Sequence, residues 1–277
     1  MKTSKLGAEA AQNQVGGTVT VTFPRLGDST AIKHAVSTRL GGVSRGIQQS
    51  MNLSFKVGDE AVNVEENRTL LSKALGMNLN RIGYVNQVHS DRVLKLDASF
   101  TPDNGSLGEA DGIITNEKNI PIMIMVADCL PVMFYDPIHK AIGLAHAGWR
   151  GTVSHIAVKT LLAMGEAYGT KAAEVRVVLG PCIGSCCYEV GEDVEKEFTH
   201  LFPWANDVLE KSGKEHWKLD ISEANARQLL EIGVRDENLV RSRLCTIQNI
   251  DLFYSHRAEA SHEKPTGRFG ALMMVNS

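Results

Sequence analysis

The chain has 277 residues, 43% of them hydrophobic and 22% charged, which is enough apolar material for a buried core and excludes a disordered chain. Its formal net charge of −3 carries no basic excess, so an extended nucleic-acid surface is not expected. No segment reaches the roughly 18 consecutive apolar residues of a membrane span, and residues 1–17 lack the apolar run of a secretory leader, so we expect a cytoplasmic protein without membrane contact.

Residues 1–17 are small and polar without periodicity and read as a loose lead-in to one catalytic domain over residues 18–277. Gly41, Gly42 and Gly46 mark a loop after Arg39, and a helix is predicted over residues 60–75 with Gly76 as its stop. Residues 107–116 read as a turn leading into a short strand, 112–115. The run 120–126 is a buried strand ending in Ala127-Asp128-Cys129. Strands 132–135 and 141–145 then flank a turn of hairpin length. A two-residue turn pairs Asp136 with His139 and sets Cys129 opposite His146; a three-residue turn sets Leu130 there instead. Beyond His146, glycines flank Arg150, and helical spacing from Val153 to Met164 closes at Gly169, a favourable arrangement for an anion. Residues 175–179, 239–246 and 269–275 are further strands, and helices follow Glu192 and the Asp220–Glu223 capping pair.

Five cysteines without an export signal are core filling, metal ligands or nucleophiles rather than disulfides. Cys186 and Cys187 are adjacent, so their side chains are expected to diverge. A catalytic zinc takes three protein ligands, with His and Cys preferred. His89, Cys129 and His146 would supply such a set, but their separations of 40 and 17 residues match no short zinc motif. By residue type alone Cys129 is equally a core thiol, and each histidine a polar residue at a strand edge.

Six strings occur in order: Asn86-Gln-Val-His89, Ala110-Asp-Gly112, Ala127-Asp-Cys-Leu-Pro131, His146-Ala-Gly-Trp-Arg-Gly151, Gly180-Pro-Cys-Ile-Gly-Ser-Cys-Cys-Tyr-Glu-Val190 and Thr266-Gly-Arg-Phe269. Together they closely resemble the YfiH/YlmD-type family, named after multicopper oxidases and related to the laccase domain-containing protein of animals. The likeness is greatest to its branch in spore-forming Gram-positive bacteria. The resemblance covers about residues 20–275 and implies an α+β fold of mixed sheets in a four-layer α/β/β/α arrangement, shared with a cysteine-hydrolase toxin domain. It implies zinc, or copper, on His89, Cys129 and His146. The activity implied is a purine nucleoside phosphorylase that cleaves adenosine, inosine, guanosine and methylthioadenosine with phosphate, and that also deaminates adenosine. Cys182 departs from the small residue expected in its loop.

Phosphorolysis needs a phosphate holder, for which Arg39 and Arg150 are the candidates because a guanidinium fork matches phosphate oxygens. Asn52 is a further contact to ribose or phosphate, and His256 a pocket residue. Arg268 reads equally as part of a structural ion pair. Asp128, with Cys129 and His146, is assigned to the catalytic group, whereas Asp111 reads better as a strand-end cap. Two alternatives stand beside the phosphorylase: a copper-dependent polyphenol oxidase, and a metal-free cysteine hydrolase using Cys129 and His146. The expected partners are purine nucleosides and phosphate, with the chain a monomer or a homodimer.

Overall fold

The computed structural model describes residues 9–101, 106–260 and 265–277. Two large mixed sheets dominate it. The first has the strand order Ala11–Val15, Thr18–Thr22, Ile32–Ser37, Phe269–Val275, Ile122–Val126, Gly83–Asn86, Ser106–Glu109. The second runs Leu239–Arg241, Arg176–Leu179, Leu130–Asp136, Ala141–Ala147, Gly112–Thr115, Val93–Lys95. Each contains parallel and antiparallel pairs.

The layering follows from alternation along the strands, since successive side chains point to opposite faces. Ile122, Ile124 and Val126 join Ala271 and Met273 in a cluster that also holds Met133, Tyr135, Ile142, Leu144 and Val178 from the second sheet. That cluster is the apolar sandwich between the sheets. The intervening residues, Met123, Leu272 and Met274, face outward and pack with Leu71 of helix Ala61–Leu75. On the far side of the second sheet, Leu130, Val132 and Phe134 pack under Ile156, Leu161 and Met164 of helix Ile156–Tyr168 and Leu229 of helix Ile221–Glu231. Helix, sheet, sheet and helix thus make the α+β four-layer arrangement. A small third sheet joins Glu189–Gly191, His216–Leu219 and Leu209–Lys211.

Several sequence expectations hold in detail. Helix Ala61–Leu75 stops at Gly76 in the left-handed conformation (φ 59°), and the Asp220 carboxylate accepts the Glu223 N–H at 2.9 Å to cap the helix Ile221–Glu231. Others are corrected. Residues Ala11–Val15 of the expected lead-in form a strand, largely exposed, paired with Thr18–Thr22; residues 1–8 lie outside the described residues. Ser106–Glu109 is a strand rather than a turn, held by parallel pairing to Gly83–Asn86. The strand expected over 239–246 ends at Arg241, and Arg243 turns the chain with φ +52°. The helical run after Gly148 is broken into Trp149–Val153 and Ile156–Tyr168 by left-handed His155.

The hairpin register also differs. Asp136 pairs with Ala141, so the loop has four residues and His146 lies opposite Pro131, not Cys129 or Leu130. The Asp136 carboxylate accepts the N–H groups of Ile138 and His139, and Lys140 takes φ +52°, which together favour the longer turn. Cys129 and His146 still meet, for a different reason.

Candidate metal centre and its cavity

Cys129 occupies the short link, residues 127–129, that carries the chain from strand Ile122–Val126 of one sheet to strand Leu130–Asp136 of the other. Asp128 beside it adopts φ +84°. His146 lies in strand Ala141–Ala147 of the second sheet, and His89 follows strand Gly83–Asn86 of the first with φ +59°. The site therefore stands at a seam where the two sheets exchange chain. The Gln87 side chain donates to the Met125 carbonyl (2.7 Å) and accepts the Met125 N–H (2.8 Å), so it binds the His89 loop to the neighbouring strand.

The ligand atoms of His89, Cys129 and His146 all lie within 4.8 Å of one another. Asp111 organises them. Its Oδ1 accepts His146 Nδ1 (2.7 Å) and the His89 N–H (3.1 Å); its Oδ2 accepts the N–H groups of Val88 (3.2 Å) and Ser90 (2.6 Å) and the Ser90 hydroxyl (2.8 Å). Its carbonyl accepts the His146 N–H at 2.7 Å. With Nδ1 committed to a carboxylate, His146 presents Nε2 to the centre, as a ligand imidazole requires. The expectation for Asp111, a strand-end cap, is corrected: its carboxylate holds the His146 ring and the His89 backbone, two of the three candidate donors.

The electrostatics agree. Burial would raise the Asp111 pKa, but the hydrogen bonds from His146 and Ser90 bring it down to about 2. Burial would depress His146, yet Cys129 and Asp111 push it up to about 9. His89 goes the other way, lowered by burial and then by the neighbouring His146 charge. Without a metal His146 holds its proton tightly between the Cys129 sulfur and the Asp111 carboxylate, and a cation bound by Nε2 would have to displace that proton.

A fit test comes from Gly148. A Cβ there would stand 2.9 Å from His89 Nδ1 and 3.1 Å from Cys129 Sγ. Only a glycine leaves the space between imidazole and thiol open. Two imidazoles, one thiol and a clear central point fit a transition-metal ion in a site of three protein ligands.

The three candidate donors line a cavity of about 400 Å³. His256 lines it, as expected. The other expected residues lie elsewhere. Arg39 is absent from its lining: its guanidinium pairs with Glu259 (2.7 Å), donates to the carbonyls of Gln49 and Ile250, and stacks 4.6 Å over Tyr254. Arg150 is exposed and sits 4.2 Å over the Trp149 ring, outside the lining. Asn52 is fully buried behind the wall, bonded to Ser54, Asp59 and the Arg268 N–H. Asp128 also stays behind the wall, with its carboxylate accepting from the Thr246 and Ser255 hydroxyls and the Arg257 N–H (2.5, 3.0 and 2.6 Å). These three bonds tie down the backbone beside Cys129.

The sequence reading did not single out Arg68, Lys56, Phe55 or Tyr84 and left Arg268 open against a structural ion pair, yet all five line the cavity. Arg268 donates to the carbonyls of Thr266 and Gly267, and Arg68 lies 4.6 Å over Phe55 and 5.4 Å over Tyr84. Arg268 carried a signal in the Thr266–Phe269 string; Arg68 is one polar residue of an amphipathic helix and carried none. Among the described residues no helix is long and apolar enough to cross a membrane.

Residues 33–276 match the family model described as multi-copper polyphenol oxidoreductase laccase. The chain is 33% identical over 240 residues to "Purine nucleoside phosphorylase YlmD" of Bacillus subtilis, covering 84% of each protein. It is 36% identical over 243 residues to a purine nucleoside phosphorylase of Bacteroides thetaiotaomicron, covering 85% of this chain and 89% of the relative. The crystal structure of YlmD from Geobacillus stearothermophilus superposes with a TM-score of 0.87 at 30% identity, over 96% of this chain and 98% of that one.

Proposed function

The chain belongs to the multi-copper polyphenol oxidoreductase laccase family, and from that premise we propose that it is a zinc-dependent purine nucleoside phosphorylase. Its substrates are adenosine, inosine, guanosine and methylthioadenosine, which it cleaves with phosphate, and it deaminates adenosine as a side activity. The observation that carries this reading is the pairing of a His89–Cys129–His146 donor set with two arginines and two aromatic rings in one cavity. The printed names of the relatives, purine nucleoside phosphorylases, support the same class.

A bound ion supplies Lewis acidity beside the reacting groups. The remaining work falls to side chains. Phosphate is an anion near neutral pH and is best held by guanidinium forks. Arg268 and Arg68 are the arginines that line the cavity, so the phosphate role expected of Arg39 and Arg150 passes to them. Phe55 is 43% exposed, a large apolar ring left uncovered at the cavity wall, and Tyr84 stands near it; a purine is a flat apolar surface suited to such rings. His256 stands at the rim, and partial desolvation and then the Arg268 charge lower its pKa, which favours the neutral imidazole that can accept a proton. Asp111 holds the two ligand histidines in place throughout.

The donor set also admits copper, which binds nitrogen and sulfur ligands more tightly than zinc. Product analysis tests the proposal. The purified protein is incubated with adenosine, with and without phosphate, beside a His146→Ala variant and a chelator-treated sample. Phosphate-dependent adenine and ribose-1-phosphate, lost in both controls, is the expected result. Inosine alone, formed without phosphate, would leave only the deaminase. Activity that survives chelation would return the cysteine-hydrolase alternative.

A further inference from the structure

A second group of soft donors stands away from the cavity. The Sγ atoms of Cys186, Cys187 and Cys245 lie within 4.8 Å of one another, and all three cysteines are free thiols. Adjacent side chains diverge on an extended strand, which was the expectation for Cys186 and Cys187. Here they sit on a turn in which the N–H groups of Cys187 and Tyr188 both donate to the Gly184 carbonyl at 2.9 Å. The turn brings Cys186 Sγ to 3.4 Å from Cys187 Sγ.

Two loops, far apart in sequence, are locked to make this cluster. The Cys182 N–H donates to the Leu244 carbonyl and the Thr246 N–H to the Cys182 carbonyl, at 3.2 and 2.9 Å. Gly184 crosses directly beneath the sulfurs: a Cβ there would stand 3.2 Å from Cys245 Cβ and 3.4 Å from Cys186 Sγ. Its N–H donates to Cys245 Sγ at 3.3 Å, the polarity that steadies a thiolate. Lys218 Nζ donates to the Cys186 carbonyl at 2.9 Å, placing a positive charge beside the group. Cys186 and Cys245 open into a separate cavity of about 290 Å³, shared with Arg241 and Arg243, which has no lining residue in common with the first.

We propose that Cys186, Cys187 and Cys245 form a second metal site, a three-thiolate cradle for the soft monovalent cation Cu(I). Thiolates select soft ions. A structural zinc asks for four protein ligands, and among the described residues only three donors gather here. A monovalent ion with a filled d shell is satisfied by three sulfurs. Binding replaces three S–H protons, which pass to buffer, with three Cu–S bonds, and neither copper nor sulfur changes oxidation state. Lys218 offsets part of the negative charge that results and Arg243 lines the same cavity, whereas Arg241 is already paired with Glu223 (3.2 Å) and Asp236 (2.8 Å).

The test uses the full chain carrying Cys129→Ala, so that the first centre is disabled, reduced and kept anaerobic. Cu(I) is titrated against the chromophoric chelator bicinchoninate. One Cu(I) per chain is expected, with a near-ultraviolet thiolate-to-copper absorption band and three Cu–S contacts by X-ray absorption. Adding Cys245→Ser or Cys186→Ser should each weaken Cu(I) binding at least tenfold. Cys186 is exposed, so its substitution tests the site without disturbing the core. Retention of Cu(I) in both double variants at the affinity of the parent would overturn the proposal, as would preferential binding of Zn(II) by the same three cysteines.

Discussion

Asp111→Asn is the substitution that tests the centre most sharply, because it keeps shape and removes charge. Five donors converge on two carboxylate oxygens: three backbone N–H groups, the Ser90 hydroxyl and His146 Nδ1. An asparagine whose Oδ1 continues to serve His89 and His146 turns its NH₂ toward the Val88 and Ser90 N–H groups, donor against donor. Each buried donor left without an acceptor costs about 1–3 kcal/mol. With two such groups, and partial relief through the Ser90 hydroxyl acting as acceptor, we expect a stability loss of about 2–4 kcal/mol. Losing the carboxylate partner of a ligand histidine lowers metal affinity by about 10- to 100-fold, or about 1.4–2.7 kcal/mol. Urea unfolding of the metal-free protein reads the first quantity, and competition with a chromophoric chelator reads the second. Ser90→Ala, which removes only one of the five donors, should move both far less. A metal affinity within threefold of the parent in a folded Asp111→Asn protein would refute the assignment of Asp111 as the orienting group.

Gly148→Ala should abolish metal binding and activity while barely changing stability. Its backbone (φ −75°, ψ 176°) suits any residue, and the added methyl reaches only the ligand point; unchanged metal content would contradict the geometry. Arg268→Met should raise the KM for phosphate by about tenfold or more, as expected for a lost charged hydrogen bond, with the nucleoside KM nearly unchanged; an equal rise in both would place Arg268 elsewhere in the mechanism. His34, whose Nε2 accepts the Phe23 N–H, is held down to about pKa 4 by burial, against 6.5 when unfolded. The unfolded chain therefore takes up this proton first, so stability is full above pH 6.5 and is lost as pH falls toward 4, by at most roughly 3 kcal/mol. His34→Gln should flatten the pH dependence of urea unfolding over that window, and an unaltered slope would show that another group supplies it.

Local chemistry alone settled much of this molecule. The apolar run 120–126, the glycine stops at Gly76 and Gly169 and the Asp220 cap lie in short stretches of chain, and each became the element expected. The candidate donor set was legible because His89, Cys129 and His146 sit in distinctive strings, although their spacing by itself pointed nowhere. What the sequence could not order was direction and distance. The hairpin register turned on the Asp136 carboxylate, which accepts the Ile138 and His139 N–H groups and so favours the longer loop. Arg39, Asn52 and Asp128 have the right chemistry for a site, but their partners, distant in sequence, take up that chemistry behind the wall. Arg68 enters the cavity only because its helix covers the outer face of the first sheet. Asp111 and the three clustered cysteines make the same point. A carboxylate or a thiol declares its reactivity in the sequence, but which groups it faces is decided by long-range packing, where two sheets meet and two loops cross.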